Sequence, residues 1–215
     1  MRTLLCLPVL ALTAGCWQPR YFEPRENVTG LSPEGRPAAV YDLERDQEGV
    51  ARGQVRVWSD GAFARYTETD EEVVDLFVAL ELENNGQQEL QLDLDSLRVE
   101  ELYLDGYLQP AMAPRSVDGH GRAEPGTTAR LDLAFQPSTT FPRHIDSFAL
   151  RFAVRDQQGL ISGEVTPFVP EPLRPLGDGA YWGDRYWGGP YWGARPASLL
   201  GPWRWGYGWR VPRCR

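Results

Sequence analysis

The chain has 215 residues and a net charge of −8, and all 22 of its basic residues are Arg. This length suffices for one β domain with extensions. The negative charge lies between residues 17 and 170, which hold 27 acidic residues and 14 Arg, whereas residues 171–215 hold three acidic residues and seven Arg. An acidic body argues against nucleic acid as a partner, because binding to phosphates requires a basic surface.

Residues 1–15 have the pattern of an export signal. One Arg follows the first Met, an apolar run extends from Leu4 to Leu12, and small residues come next. The run is too short to span a bilayer. The sequence TAGC at residues 13–16 resembles the lipobox of bacterial lipoproteins. Ala14, Gly15 and Cys16 match the family's pattern, and a threonine stands where the family usually has leucine.

The lipobox resemblance implies that the sulfur of Cys16 receives a diacylglyceryl group and that residues 1–15 are removed. Two or more acyl chains form a stable membrane anchor. By the same resemblance, Trp17 in place of Asp implies sorting to the outer membrane. An ordinary cleaved signal with an incidental cysteine is the alternative. Cys6 would leave with the signal, so Cys214 would have no partner for an internal disulfide and we expect a free thiol.

Residues 16–48 are rich in proline, poor in apolar residues and without periodicity. These features predict an extended tether, and the lipobox resemblance implies that it is lipidated at Cys16. Within it, "AAVYDLERDQ" is compatible with either a short helix or a short strand.

Residues 49–170 have a hydrophobic period of two, which is typical of β-strands. We expect about eight short strands, beginning with two on either side of Ser59-Asp60-Gly61 and including a hairpin at Asp105-Gly106. Asn84-Asn85-Gly86 predicts the end of a strand. The residues expected to point inward are Val74, Leu76, Val78, Leu80 and Leu82; Leu90, Leu92 and Leu94; Ala129, Leu131, Leu133 and Phe135; and Phe148, Leu150, Phe152 and Val154.

Strands of this length and spacing predict an all-β, antiparallel β-sandwich, with a barrel as the alternative. The order of "LENNGQQELQLDLDSLRV", "EPGTTARLDLAF" and "FALRFAVRD" resembles the immunoglobulin-like, and in particular telokin-like, accessory domains of exported bacterial lipoproteins. That resemblance covers roughly 100 residues. It implies a binding or scaffolding module and contributes no catalytic residues.

Few residues are candidates for chemistry. His120 and His144 are the two histidines, and neither lies in a recognisable catalytic motif. Asp118 with His120 would supply only two metal ligands, and the acidic run 68–72 lacks the ligand spacing of a calcium loop. We expect the carboxylates of this run, and those of Asp93 and Asp95, to be solvated. The sequence therefore predicts no enzyme, no metal site and no cofactor.

Residues 171–215 form a low-complexity, Arg-rich tail in which Tyr-Trp-Gly occurs three times, five residues apart. Glycine and proline disfavour a helix there. Three coverings for the aromatic rings are open: the acidic body, an envelope ligand such as peptidoglycan, a polysaccharide or another envelope protein, or the membrane surface. The candidate binding aromatics are Tyr181, Trp182, Tyr186, Trp187, Tyr191, Trp192, Trp203, Trp205, Tyr207 and Trp209.

Together these features predict a lipid-anchored, non-catalytic binding or scaffolding protein of the bacterial cell envelope, at the outer membrane. The alternative is a carbohydrate- or peptidoglycan-binding protein that works through the tail. An envelope hydrolase is disfavoured, because neither a nucleophile motif nor a paired base is recognisable.

Overall fold

The computed structural model describes residues 18–43 and 51–172. The chain divides into two units, Met1–Glu171 and Pro172–Arg215, and the architecture below is that of the first. The described residues form thirteen strands and two short 3₁₀ helices, Leu94–Ser96 and Pro142–His144, with no α-helix among them. They include no helix with the length and hydrophobicity that crossing a bilayer requires.

One antiparallel sheet, which we call sheet A, has six strands. In spatial order they are β2 (Val28–Leu31), β3 (Pro37–Asp42), β4 (Gly53–Tyr66), β5 (Glu72–Asn84), β11 (Thr128–Phe135) and β9 (Ser116–His120). The long strands β4 and β5 pair along their whole length and form the centre of this sheet.

The other antiparallel sheet, sheet B, has seven strands. Five lie in the order β1 (Phe22–Pro24), β13 (Gly159–Pro170), β12 (Ile145–Asp156), β6 (Leu90–Leu92) and β10 (Arg122–Ala123). In addition, β7 (Arg98–Leu104) pairs with β12, and β8 (Tyr107–Leu108) pairs with β7. The prediction of an all-β chain with antiparallel sheets is confirmed.

The core lies between the two sheets and consists mainly of alternate apolar residues of the longer strands, whereas β2, β8 and β9 contribute none. All but one of the residues expected to point inward are buried there; Leu94 lies instead in the first 3₁₀ helix and is half-exposed. The hydroxyl groups of Tyr41 in β3 and Thr166 in β13 lie 3.0 Å apart and link the sheets by a buried hydrogen bond. A polar pair is tolerated in this core because each hydroxyl satisfies the other.

The predicted tether is wrong for residues 20–42, which contribute three strands. Strand β1 extends sheet B and buries Phe22, which is 4% exposed, while β2 and β3 form a hairpin at the edge of sheet A. Single apolar residues between prolines and glycines give no periodicity within this segment. They become buried only because the two sheets provide partners far along the chain.

Residues 53–66 were expected to form two strands but form the single strand β4. Its register against β5 shifts between Ser59 and Gly61, so Asp60 is the extra residue of a β-bulge. The Ser-Asp-Gly sequence suits a bulge as well as a turn, and the continuous partner β5 selects the bulge. This merger removes one expected strand, yet the total rises to thirteen because residues 20–42 and several short segments also pair.

The sandwich has two distinct ends. Strand β12 runs from Ile145 to Asp156, a length of about 35–40 Å. We call the end near Ile145 the termini end, because Phe22 and Pro170 pair there, and the end near Asp156 the distal end.

Candidate functional site

The N-terminal segment joins the two sheets at the termini end. Arg20 and Ala62 of β4 exchange two backbone hydrogen bonds, and β1 then pairs with β13. This approach requires Gly61, whose φ is +103°, because a Cβ there would lie 2.9 Å from the ring of Tyr21 and 3.0 Å from the Arg20 carbonyl. Phe63 contacts the same tyrosine ring edge-on at 6.1 Å. The N-terminal segment therefore packs against the bulge in β4 where it enters the sandwich.

The C-terminal end of the described chain lies beside this entry point. The backbone N–H of Glu171 donates to the carbonyl of Tyr21 at 2.9 Å. Both β1 and the end of β13 are fixed by this pairing. The chain thus enters and leaves the sandwich at the termini end.

The short 3₁₀ helix Pro142–His144 connects the entry segment to a neighbouring hairpin. The guanidinium of Arg20 donates to the carbonyl of Arg143. The carbonyl of His144 accepts from the N–H of Asp105, in the β7–β8 turn, at 2.9 Å. The sequence correctly predicted this Asp-Gly turn, and the structure places it at the termini end.

The β7–β8 hairpin exposes apolar side chains at its tip. Tyr107 is 74% exposed and Leu108 is 60% exposed, and Tyr103, the partner of Leu108 across the hairpin, is also exposed. The N–H of Gly106 donates to Asp146 Oδ2 at 2.6 Å, which fixes the turn against β12. Sequence reasoning predicted the hairpin but not its exposed tip, since the alternation alone does not show which face is covered.

A shallow polar cleft of about 450 Å³ also opens near the termini end. His144 lines it, and its Nδ1 lies 3.2 Å from Thr139 Oγ1 and 3.5 Å from Asp105 Oδ2. In a nucleophile–histidine–acid relay the hydroxyl and the acid engage opposite ring nitrogens. Here both face the same nitrogen, which does not match that geometry. The other lining residues are Glu72, Val73, Gln136, Pro137, Ser138 and Thr140.

A charged network covers the outer face of sheet A around the buried Trp58. The guanidinium of Arg130 lies 5.0 Å from the indole ring, 2.6 Å from Glu34 and 3.0 Å from Asp132. Burial acts to lower the pKa of Arg130, but its hydrogen bonds to the two carboxylates outweigh that effect, and the pKa is raised. Burial acts to raise the pKa of Glu34, but the hydrogen bond and charge of Arg130 outweigh that effect, and the pKa of Glu34 is lowered. The carboxylates here act as fixed partners of Arg130.

Beside this network, Asp60 of the β4 bulge pairs with Arg36 at 3.3 Å. Desolvation raises the pKa of Asp60, and the charge of Arg36 only partly offsets this effect. The guanidinium of Arg36 also stacks over Tyr21, 5.1 Å from the ring centroid. The bulge, the β2–β3 turn and the entry segment are thus linked by charge and aromatic contacts.

The residues considered for metal binding do not converge. His120 lies on the edge strand β9 instead of a loop, opposite Arg130, and Asp118 lies two residues before it, opposite Asp132. Among the described residues, no group of three or more His, Cys, Asp or Glu side chains is placed to hold a metal ion. Asp93 accepts from Arg155 at 2.7 Å, and so belongs to an ion pair.

The predicted site residues lie outside the described part of the chain. Cys16 precedes residue 18, and the ten tail aromatics follow residue 172. Their roles as an anchor and as a binding surface remain predictions.

Comparisons with known proteins add little. No family model matches the chain, and no curated protein matches it. One solved structure, titled "X-ray structure of Northeast Structural Genomics Consortium target SoR45", matches 59% of this chain and 95% of its own, at 13% identity and a TM-score of 0.37. A likeness this distant indicates neither a family nor a function.

Proposed function

We propose that this protein is a lipid-anchored, non-catalytic binding or scaffolding module of the bacterial cell envelope, at the outer membrane. The observation that carries the proposal is the position of Cys16. It ends an apolar, signal-like segment and lies four residues before Arg20, whose backbone pairs with β4. A cysteine at this junction would place the lipid directly at the edge of the folded body.

For the fold we propose the immunoglobulin-like, telokin-like class. Two facing antiparallel sheets with a shared core of alternating residues support this assignment. The predicted lipoprotein accessory domain belongs to the same class, which is one of binding modules.

Two features of the described residues support binding over catalysis. The charged side chains of sheet A are engaged with one another, as Arg130 is with Glu34 and Asp132, and so serve the architecture. The contacts of His144 converge on one ring nitrogen instead of forming a proton relay.

The test of the anchor is metabolic labelling with a radioactive fatty acid. We expect the wild-type chain and Cys214→Ser to be labelled equally, because the lipobox resemblance assigns the lipid to Cys16. We expect Cys16→Ser to lose the label and to leave the membrane fraction. Equal labelling of Cys16→Ser and the wild type would refute the anchor.

The second candidate is a carbohydrate- or peptidoglycan-binding protein that uses the tail. Its support is the density of Tyr and Trp among seven Arg in residues 171–215, since aromatic faces stack on sugar rings and Arg pairs with carboxylates. The test is co-sedimentation with purified peptidoglycan before and after deletion of residues 177–215. Binding that survives the deletion would exclude the tail as the working surface.

A further inference from the structure

We propose that the termini end of the sandwich lies directly on the lipid bilayer, with the tip of the β7–β8 hairpin and the side chains of Arg20 and Arg143 in the headgroup region. This inference rests on the proposed anchor at Cys16. It adds an orientation and a contact surface that the anchor alone does not require.

The chain between the proposed lipid and the fold is short. Four residue steps separate Cys16 from Arg20, and an extended chain covers at most about 3.6 Å per step, so the gap is limited to about 14 Å. Arg20 cannot move away from the sandwich, because it exchanges two backbone hydrogen bonds with Ala62, of 3.0 and 2.7 Å. The lipid would therefore hold the folded body against the bilayer.

The chain enters the sandwich in a direction that places the termini end nearest to the lipid. Strand β1 is antiparallel to β13, with Phe22 opposite Pro170 and Pro24 opposite Phe168. Residues before Phe22 therefore lead away from the distal end. The distal end is about 35–40 Å further along β12, so the termini end is the one that reaches the bilayer.

The surface at this end carries side chains that suit the lipid headgroup region. Tyr107 and Leu108 are exposed at the hairpin tip. A tyrosine ring with its hydroxyl suits the headgroup region, and a leucine gains by leaving water. Arg20 and Arg143 are joined by a hydrogen bond, and Arg143 stacks over Phe141 at 5.1 Å. Guanidinium groups bind phosphate oxygens, while their apolar stems cover neighbouring apolar surface.

The charge distribution limits the contact to the sheet B side. The turn between β4 and β5, at the termini end of sheet A, contains Glu68, Asp70 and Glu71. These carboxylates are repelled by lipid phosphates and favour water. The hairpin tip exposes one carboxylate, that of Asp105, against three in this turn, so the body tilts with the tip, and not the acidic turn, against the bilayer.

The experiment compares two exposed hairpin tips by hydrogen exchange and mass spectrometry. The test tip is residues 103–108 at the termini end, and the control tip is residues 157–160 at the distal end. The full chain made by the cell is measured on vesicles of phosphatidylethanolamine with a minor fraction of phosphatidylglycerol, and Cys16→Ser is measured free in solution. We expect exchange in residues 103–108 to slow at least about threefold on the vesicles, with residues 157–160 unchanged. No slowing at residues 103–108, or equal slowing at both tips, would overturn the proposal.

A second experiment distinguishes a failure of the proposed orientation from a failure of the proposed lipid anchor. In a Cys6→Ser, Cys214→Ser chain, a maleimide lipid is coupled to Cys16 before the chain is added to vesicles. If the cell-made chain does not float with vesicles, the anchor is refuted, and the coupled chain still tests the orientation by the same two tips.

A matched pair of variants tests the surface itself. Leu108 and Leu160 follow corresponding hairpin turns and are 60% and 65% exposed. In the coupled chain, we expect Leu108→Ser to reduce the slowing at residues 103–108 several-fold and Leu160→Ser to leave it unchanged. An equal effect of the two variants would contradict a specific contact at the β7–β8 tip.

Discussion

At the residue scale, Gly61 determines how the chain enters the sandwich. Its positive φ disfavours any side chain, and an added Cβ would press on Tyr21 and the Arg20 carbonyl. We expect Gly61→Ala to lower the free energy of unfolding by about 1–3 kcal/mol, measured by urea denaturation. The control is Gly126→Ala, which has a positive φ but open space around it. Equal losses in the two variants would show that the contact with the N-terminal segment contributes nothing.

Asn84 performs a comparable structural role at the distal end. Its buried side-chain amide donates to the carbonyls of Gln88 and Ala123 at 2.8 and 2.9 Å, and its carbonyl oxygen accepts from Gly86. We expect Asn84→Ala to lower the free energy of unfolding by about 2–4 kcal/mol, because buried polar groups lose their partners. The exposed Asn85→Ala should cost far less in the same thermal or urea melt. A small loss for Asn84→Ala would mean that water replaces the amide.

The ionisation of Asp156, at the β12–β13 turn, makes the free energy of unfolding depend on pH. A hydrogen bond from Arg52 at 2.8 Å and one from the Gln158 N–H hold the pKa of Asp156 below its usual range. A carboxyl whose pKa is lower in the folded state stabilises the fold above its unfolded pKa, and this contribution is lost as the pH falls through the folded pKa. We therefore expect Asp156→Asn to be less stable than the wild type near pH 7, with the difference shrinking below about pH 4. The exposed Asp95→Asn corrects for the loss of a charge, and a difference that grows on acidification would contradict the assignment.

At the scale of elements, β1 is the short strand with the largest consequence. Phe22 packs edge-on against Phe148 at 5.2 Å, which in turn stacks on Phe168. We expect Phe22→Ala to cost about 3–5 kcal/mol in unfolding free energy. The half-buried Phe63→Ala is the control, and it should cost less. If the two costs are equal, β1 is not part of the cooperative core.

The elements also show what the sequence could and could not predict. Strands β5, β11 and β12 were predicted because each carries a long alternation that the sandwich then buries on one face. Strands β1 to β3 were missed because their few apolar residues are buried by pairing with β13 and β4, far along the chain. The Ser-Asp-Gly sequence around Asp60 predicts a turn, and only the continuous pairing with β5 distinguishes a bulge from a turn.

For the candidate site too, local patterns could be predicted from the sequence and contacts between distant residues could not. Cys16 and the tail aromatics can be picked out from the sequence by local pattern and composition. The meeting of the two ends of the described chain cannot, because it depends on the hydrogen bond between Glu171 and Tyr21, 150 residues apart. The exposed tip of the β7–β8 hairpin also becomes a candidate surface only when its place at this end is known.

At the scale of the whole molecule, the described chain enters and leaves the sandwich at one end, and Cys16 lies four residues before the entry point at Arg20. Under the proposed anchor, this end of the sandwich faces the bilayer. The same proposal places the distal end, with the turns at residues 84–86 and 157–159, away from the membrane.

The most direct measurement is neutron reflectometry of the full lipidated chain on a supported bilayer of the same lipids. The account predicts that protein density begins in the headgroup layer, with no intervening water layer thicker than about 14 Å, the reach of four residues. A body separated from the bilayer by a wider water layer, or no bound protein at all, would contradict it.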